Sequence, residues 1–221
     1  KIKKNVKIFT IKKNNIQNKQ TELERAKYSI REMSQWILQH LLNGPSTLNE
    51  LLLHQDHRPA WHRAADVLAA EVSGGQAVVL LCEGDASLFA TGSYVLLALQ
   101  QRHPDCPTLV IPGITAISAA AAAASWPLAL QQDQMLVMPC PDRPEDLASE
   151  LAEAARRSRV LALMKLGHRW RWVRGLLDEK NLLKSSLFAE RVGWHSQTIE
   201  NAENVMASSR PYFSLLLIRQ A

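Results

Sequence analysis

The chain has 221 residues, 47% of them hydrophobic and 21% charged, a balance that supports a buried core in one domain or two small ones and argues against disorder. The formal net charge of +5 belongs to the first 20 residues, which hold seven lysines and no acid; the remainder has 19 basic against 21 acidic side chains. Nucleic-acid binding by the body of the chain therefore has no support from net charge, and no apolar run reaches the roughly 20 residues that a membrane-spanning helix needs.

Residues 1–20 (KIKKNVKIFTIKKNNIQNKQ) are rich in lysine and asparagine and read as a basic, loosely ordered tail. From Thr21, apolar residues at helical spacing (Leu23, Ala26, Ile30, Met33, Ile37, Leu41) predict a helix that Asn43-Gly44-Pro45 stops, and Ser46 caps a shorter one. Residues 21–55 are thus expected to be a helical hairpin, either a packing unit or half of a helix-turn-helix, although no basic recognition helix follows. A helix over Trp61–Val72 turns at Ser73-Gly74-Gly75 into a strand, Gln76–Cys82. A helix Ser87–Arg102, a strand Thr108–Ile111 and a helix Thr115–Ser125 continue a βαβα rhythm that argues for a mostly parallel sheet.

Trp126-Pro127 and Gln131-Gln132-Asp133 read as a linker, which places the two α/β domains at 56–132 and 133–221. The second contains a strand Gln134–Met138, a helix opening on Pro144-Glu145-Asp146 and closing on Arg156-Arg157, a strand Val160–Met164, a helix around Trp170–Leu177, and strands Leu187–Val192 and Tyr212–Arg219. Cys82, Cys106 and Cys140 are too widely spaced for a CxxC pair or a zinc knuckle and read as free thiols of a reducing cytoplasm. His54, His57 and His62 crowd one segment but are assigned no metal. The opening at Lys1, without methionine, is expected of a fragment or a displaced start.

Two places combine an apolar run, a glycine and a helix start, where an α/β sheet offers backbone N–H groups to a ligand: Val79–Phe89 around Gly84-Asp85, and Val110–Ala116 around Pro112-Gly113. Asp85 can cap the following helix, hold a ligand hydroxyl or ammonium, or do both. The alanine run behind Thr115 leaves room for close backbone packing or for a flat heterocycle. A third strand end, Met164-Lys165-Leu166-Gly167-His168-Arg169, opens a cation cluster that Arg171 and Arg174 extend and that Arg191 and Arg210 are candidates to join; such a cluster is either a solvated face or a receptor for carboxylates. GxGxxG, P-loop, GxSxG and HExxH patterns are absent.

Four segments in this order, EGDASLFATGSYVLLAL, VIPGITAISAAAAA, the MKLG strand end and RPYFSLLLIRQ, carry a resemblance. Over roughly Pro59 to Ala221 the chain resembles the tetrapyrrole (corrin/porphyrin) methylase family, and within it the branch that methylates carbon 20 of precorrin-2 in cobalamin biosynthesis, in its cyanobacterial form. The resemblance implies a two-domain α/β tetrapyrrole methylase (class III methyltransferase) fold, a homodimer, and S-adenosylmethionine bound in the cleft between domains. It carries the family's cofactor contacts onto Gly84, Asp85, Leu88, Thr115, Ala116, Met164 and Ala202, with Ala86 where the family has proline. It gives Lys165, His168, Arg169 and Arg191 the task of binding the acetates and propionates of the tetrapyrrole. No catalytic side chain is assigned, because a sulfonium donor needs chiefly to be positioned. Family members begin with a strand and a GxGPGD-type loop; nothing in residues 1–55 matches either, so both are expected to be lost or replaced and the N-terminal domain incomplete. The alternatives are a relative that binds S-adenosylmethionine or a tetrapyrrole without turnover, and a methylase acting on another corrin intermediate.

Overall fold

The computed structural model describes residues 6–11 and 58–220. The chain divides into two compact units, Lys1–Ile114 and Thr115–Ala221. The expected hairpin over 21–55, with His54, lies outside the described residues, as does His57, while His62 stands on the first described helix.

The first unit corrects the reading of the amino terminus as a loose tail lacking the first strand. Val6–Ile11 (VKIFTI) forms strand β1, and it is the middle strand of the sheet, with β2 (Val78–Glu83) and β3 (Thr108–Val110) parallel on either side. Its register runs from Val6 against Val78 to Ile11 against Glu83 on one side, and from Val6 against Thr108 to Ile8 against Val110 on the other. The cause lies in the sequence. Six residues rich in β-branched and aromatic side chains carry one lysine, and averaging over the lysines on both flanks hides the run. β1 ends beside Glu83, at the rim where Gly84 bends away.

Helix α1 (Arg58–Ser73) has Pro59 in its first turn, where no N–H is needed, and a Gly74-Gly75 stop at which the amide of Gly74 donates to Ala70 O at 2.8 Å and that of Gly75 to Val72 O at 3.0 Å. Ala64, Ala65, Ala69 and Val72 on one face of α1 bury against Val95, Ala98 and Leu99 of α2 (Thr91–Arg102) and against Leu80 of β2. The small alanines permit close approach of the helices. A clamp joins the middle of α1 to the end of α2: Arg102 donates to both Asp66 oxygens at 2.8 Å, and His103 Nε2 lies 2.7 Å from Asp66 Oδ1. The Arg102 hydrogen bonds, helped by His103, pull the Asp66 carboxyl down to about 2. The expected helix from Ser87 begins only at Thr91, because residues 86–89 fold as turns around Asp85.

In the second unit, Thr115 caps α3 (Ala116–Ala123), its hydroxyl accepting from the Ser118 amide at 3.1 Å. Among the described residues, five strands follow in the spatial order β4-β5-β8-β6-β7: β4 (Gln134–Pro139), β5 (Arg159–Met164), β6 (Ser186–Glu190), β7 (Thr198–Asn201) and β8 (Ser214–Ile218). Only β4 and β5 pair in parallel. β8 returns antiparallel between β5 and β6, and β7 pairs antiparallel with β6, so this sheet is mixed, while the first unit's sheet is parallel as its βαβα rhythm argues.

Helices α4 (Pro144–Arg156) and α5 (Trp170–Glu179) turn Leu147, Leu151 and Ala154, and Trp170, Val173 and Leu177, onto a core with Leu161, Leu163, Phe188 and Leu216. Trp170 is fully buried with its indole N–H on Met206 O at 3.0 Å and its ring 5.0 Å from Phe188. The stretch read as an interdomain linker is held inside this unit. Arg219, just past β8, donates to Pro127 O at 2.6 Å and Asp133 Oδ2 at 2.8 Å and lies over the Trp126 ring at 5.2 Å. The division into units accordingly falls at Ile114/Thr115, ahead of the stretch in which the sequence suggests it. Among the described residues no helix is long and apolar enough to cross a membrane.

Candidate functional site

In the first unit the site is built at the carboxyl ends of β2 and β3. Gly84 follows β2 with φ +76°, a left-handed conformation that an L side chain adopts only with strain, while the space around it is open, since an added Cβ would meet nothing nearer than Ile114 O at 3.9 Å. The bend throws Asp85 back across the rim. Its Oδ1 accepts from the Ser87 amide at 2.8 Å and from the Ser87 hydroxyl, and its Oδ2 accepts from the Gly113 amide at 2.7 Å. These bonds, the Ser87 hydroxyl foremost, lower the Asp85 pKa.

Asp85 is therefore not a helix cap, since α2 has Ala90 as its N-cap residue and no side-chain cap. It closes an Asx-type turn on Ser87 and ties the end of β2 to the loop after β3. Oδ1 is filled by its two Ser87 donors, but Oδ2 accepts only from Gly113 and keeps a second lone pair, so the carboxylate can still receive a ligand hydroxyl or ammonium there. The Gly113 amide as the partner of Asp85 was not legible beforehand; its signal is the second glycine at the second rim. Leu88, in the turn after Asp85, is half-buried.

In the second unit the carboxyl end of β5 is the corresponding rim. Met164, its last residue, is half-buried, and its carbonyl accepts from the Cys140 amide at 2.7 Å. Lys165 (φ +56°) and Arg191 (φ +50°) close β5 and β6 in left-handed conformations on either side of the start of β8. The Leu166 amide donates to Ser214 O at 3.0 Å, the Gly167 amide to the Ser214 hydroxyl at 2.9 Å, and the Arg191 amide to Phe213 O at 2.8 Å, so three chain segments are laced together here. Thr115 and Ala116 open α3, and Ala202 is fully buried in the core of this unit.

The cation cluster is sorted by its partners. Arg169 donates through Nε to Asp142 at 2.8 Å, through Nη2 to the same carboxylate, and through Nη1 to Lys165 O at 3.2 Å; it braces the loop. Arg174 is likewise structural, donating to Val205 O at 2.8 Å and Glu203 O at 3.2 Å. His168 and Arg171 are exposed. Lys165 Nζ stands 5.8 Å over the Tyr212 ring, and Arg191 and Arg210 approach Glu190. Glu190 escaped the sequence reading; its only signal is an acid closing the apolar run Leu187-Phe188-Ala189.

A family model for tetrapyrrole (corrin/porphyrin) methylases matches residues 19–204. The chain belongs to this family. Curated relatives include a cobalt-precorrin-2 C(20)-methyltransferase of Salmonella typhimurium, 30% identical over 164 residues, which are 72% of this chain and 65% of that protein. A precorrin-2 C(20)-methyltransferase of a Sinorhizobium species is 27% identical over 158 residues, 72% of this chain and 62% of that protein. The cobalamin biosynthesis protein CobIJ of Mycobacterium bovis is 30% identical over 155 residues, 70% of this chain and 29% of that protein. The chain thus spans just under two thirds of the two C(20)-methyltransferases. Among solved structures, the methyltransferase CobJ covers 99% of this chain and 95% of its own at a TM-score of 0.63 and 21% identity. The cobalt-precorrin-4 methyltransferase CbiF covers 96% of this chain and 94% of its own at 0.56 and 13%. Both share the fold.

Proposed function

We propose that the chain is an S-adenosylmethionine-dependent methyltransferase that methylates carbon 20 of precorrin-2, or of its cobalt-bound form, in cobalamin biosynthesis. The observation that carries this reading is the Asp85–Gly113 tie: within a tetrapyrrole methylase, it fixes two glycine-bearing strand ends in one rigid rim. A glycine held at positive φ beside a carboxylate with a spare acceptor site on Oδ2 suits an adenosyl donor that brings hydroxyls, an ammonium and a flat base. Gly84, Asp85 and Leu88 in the first unit, and Thr115, Ala116, Met164 and Ala202 in the second, are the residues we assign to it. When bound, this donor would supply an electrophilic methyl group, whose transfer would form a carbon–carbon bond as the sulfur–methyl bond breaks, leaving the electron pair on sulfur and releasing the proton of carbon 20 to solvent.

The chain's own part is to bind, orient and exclude water, and the positioning of reacting atoms alone contributes on the order of 7–11 kcal/mol where it is good. Lys165, His168 and Arg191 are assigned to substrate carboxylates, with Arg169 bracing Lys165. We further infer a homodimer acting in the cytoplasm.

One observation favours a second reading. The chain has no glycine before Gly44, so the stretch after β1 holds no glycine-rich loop, and a relative that binds donor or tetrapyrrole without turnover fits that sequence. Calorimetry with S-adenosylmethionine and S-adenosylhomocysteine, followed by incubation with precorrin-2 and mass spectrometry, separates the two. The enzyme reading expects binding and the gain of one methyl group; binding without turnover transfers the chain to the second reading, and no heat with either ligand on folded protein refutes the enzyme reading and leaves of the second only a tetrapyrrole binder.

A further inference from the structure

The rim of the second sheet holds a charge arrangement that the assignment above leaves unexplained. Glu190, the last residue of β6, has a side chain only 8% exposed, yet its two cationic neighbours stand off: Arg191 Nη1 is 3.4 Å from Oε1 and Arg210 Nη1 is 3.8 Å from Oε2. Among the described residues, neither Glu190 Oε2 nor Arg210 Nε has a hydrogen-bond partner. Arg210 is otherwise held by a 3.3 Å bond from Nη2 to Met206 O and by the Phe188 ring, 5.4 Å from its guanidinium carbon. Arg191 is fixed at φ +50° by its amide bond to Phe213 O.

A buried carboxylate with such loose partners is a poor device for stability, since its desolvation is not repaid unless the partners make good hydrogen bonds. Two guanidinium groups against one carboxylate leave a net positive charge and unused N–H donors. Both heads reach the surface, with side chains 39% and 23% exposed, while the acid between them does not.

We propose that Glu190 is a positioning residue that sets Arg191 and Arg210 as a paired receptor for one carboxylate of the tetrapyrrole, which makes Arg210 a further substrate-binding residue. The surroundings identify the occupant. Tyr212 and Phe213, both more than half exposed, meet edge to face at 5.4 Å, Trp194 lies 6.2 Å from Phe213, and Lys165 stands over Tyr212. Cations beside an exposed aromatic ladder fit a ligand that is at once a wide apolar ring and a polycarboxylate, whereas a small hydrophilic anion has no use for the ladder.

This inference deepens the methylase reading and rests on it for the identity of the natural ligand. Its test uses the full chain and uroporphyrin III, a stable tetrapyrrole bearing acetates and propionates, titrated while tryptophan fluorescence is followed. Arg210→Gln is expected to weaken binding about tenfold, the loss of one charge-assisted bidentate contact. Arg191→Gly removes the left-handed strain, so it is expected to melt no lower than the parent and still to lose about tenfold in affinity. Glu190→Gln is expected to hold or raise the melting temperature and yet weaken binding several-fold although it adds positive charge, with Glu190→Asp recovering part of the loss. Arg156→Gln on α4 controls for net charge.

With precorrin-2 as substrate, the same variants are expected to raise KM while kcat and S-adenosylmethionine affinity stay unchanged. Uroporphyrin binding as tight or tighter in Glu190→Gln, or a loss in Arg210→Gln no larger than in Arg156→Gln, overturns the proposal. Arginine-dependent binding by a chain that transfers no methyl group sinks the enzyme reading and leaves the receptor standing. Methyl transfer by variants indistinguishable from the parent sinks the receptor alone.

Discussion

Replacing Asp85 tests both the architecture of the first rim and its use. Asp85→Ala deletes two hydrogen bonds from backbone amides to an ionised acceptor, at 2.8 Å from Ser87 and 2.7 Å from Gly113, together with the bond from the Ser87 hydroxyl. Bonds to a charged group contribute about 1.5–3 kcal/mol each when shielded. The residue is only half-buried, so solvent competes and we expect about 2 kcal/mol for the set, or a fall in Tm of about 4–8 °C in a chain of this size. Asp85→Asn is expected to recover less than half of it. Both oxygens face donors, and an amide satisfies one while turning its own N–H₂ on the other.

The effect has a definite pH dependence. The folded-state pKa of Asp85 is lowered, so its contribution is complete above the unfolded-state value near about 4 and is lost as pH falls through the lower folded value. Parent and Asp85→Ala melting temperatures, measured by near-ultraviolet circular dichroism from neutral pH into acid, should therefore converge, with S-adenosylmethionine affinity in the variant down about tenfold at neutral pH, the equivalent of one lost ligand contact. Asp85→Asn melting with the parent, or a gap that does not close in acid, refutes the reasoning.

Gly84→Ala meets no clash, so its cost is conformational: about 1–2 kcal/mol for an L residue at φ +76°, read as a lower denaturant midpoint with unchanged slope. Asp66→Asn breaks the Arg102–His103 clamp between α1 and α2; because the three side chains are partly exposed, the expected loss is only about 0.5–1 kcal/mol. That loss should persist from neutral pH down to about 4 and vanish as the parent's own carboxyl, with a pKa of about 2, takes up its proton, which stability curves across acid pH will show. Cys140 is buried and its thiol is pushed up to about 12, chiefly by burial, so a thiolate-seeking reagent at pH 8 should leave it unmodified in the folded chain and label it only after unfolding.

The parts of the molecule legible in the sequence are those set by neighbouring residues. The Gly84 bend, the helix start at Thr115, the amphipathic α4 with acids first and arginines last, and the alternation of strands and helices all follow from short-range pattern, and each is found. The illegible parts depend on partners far along the chain. Val6–Ile11 becomes a central strand because β2 and β3 flank it, and no property of the lysine-rich first 20 residues announces neighbours 70 to 100 positions away. Asp85 looks like a helix cap until the Gly113 amide, 28 residues on, is seen to take its second oxygen. The antiparallel return of β8 is equally non-local.

The cation cluster shows why composition overstates a binding surface. Read from sequence, Lys165, His168, Arg169, Arg171, Arg174, Arg191 and Arg210 are alike, but Asp142 takes Arg169 and the carbonyls of Glu203 and Val205 take Arg174, so that neither guanidinium is available without breaking the loop it braces. Arg191 and Arg210 differ from these because their shared acid is buried and meets them only in long contacts of 3.4 and 3.8 Å. A guanidinium whose donors are satisfied stabilises the fold, and one that meets a carboxylate only in a long contact keeps donors for another. On that distinction, Arg174→Gln should lower stability and leave tetrapyrrole affinity alone, while Arg210→Gln should do the reverse. The pair of measurements on one protein preparation decides whether hydrogen-bond satisfaction, rather than charge, marks the residues that read the substrate.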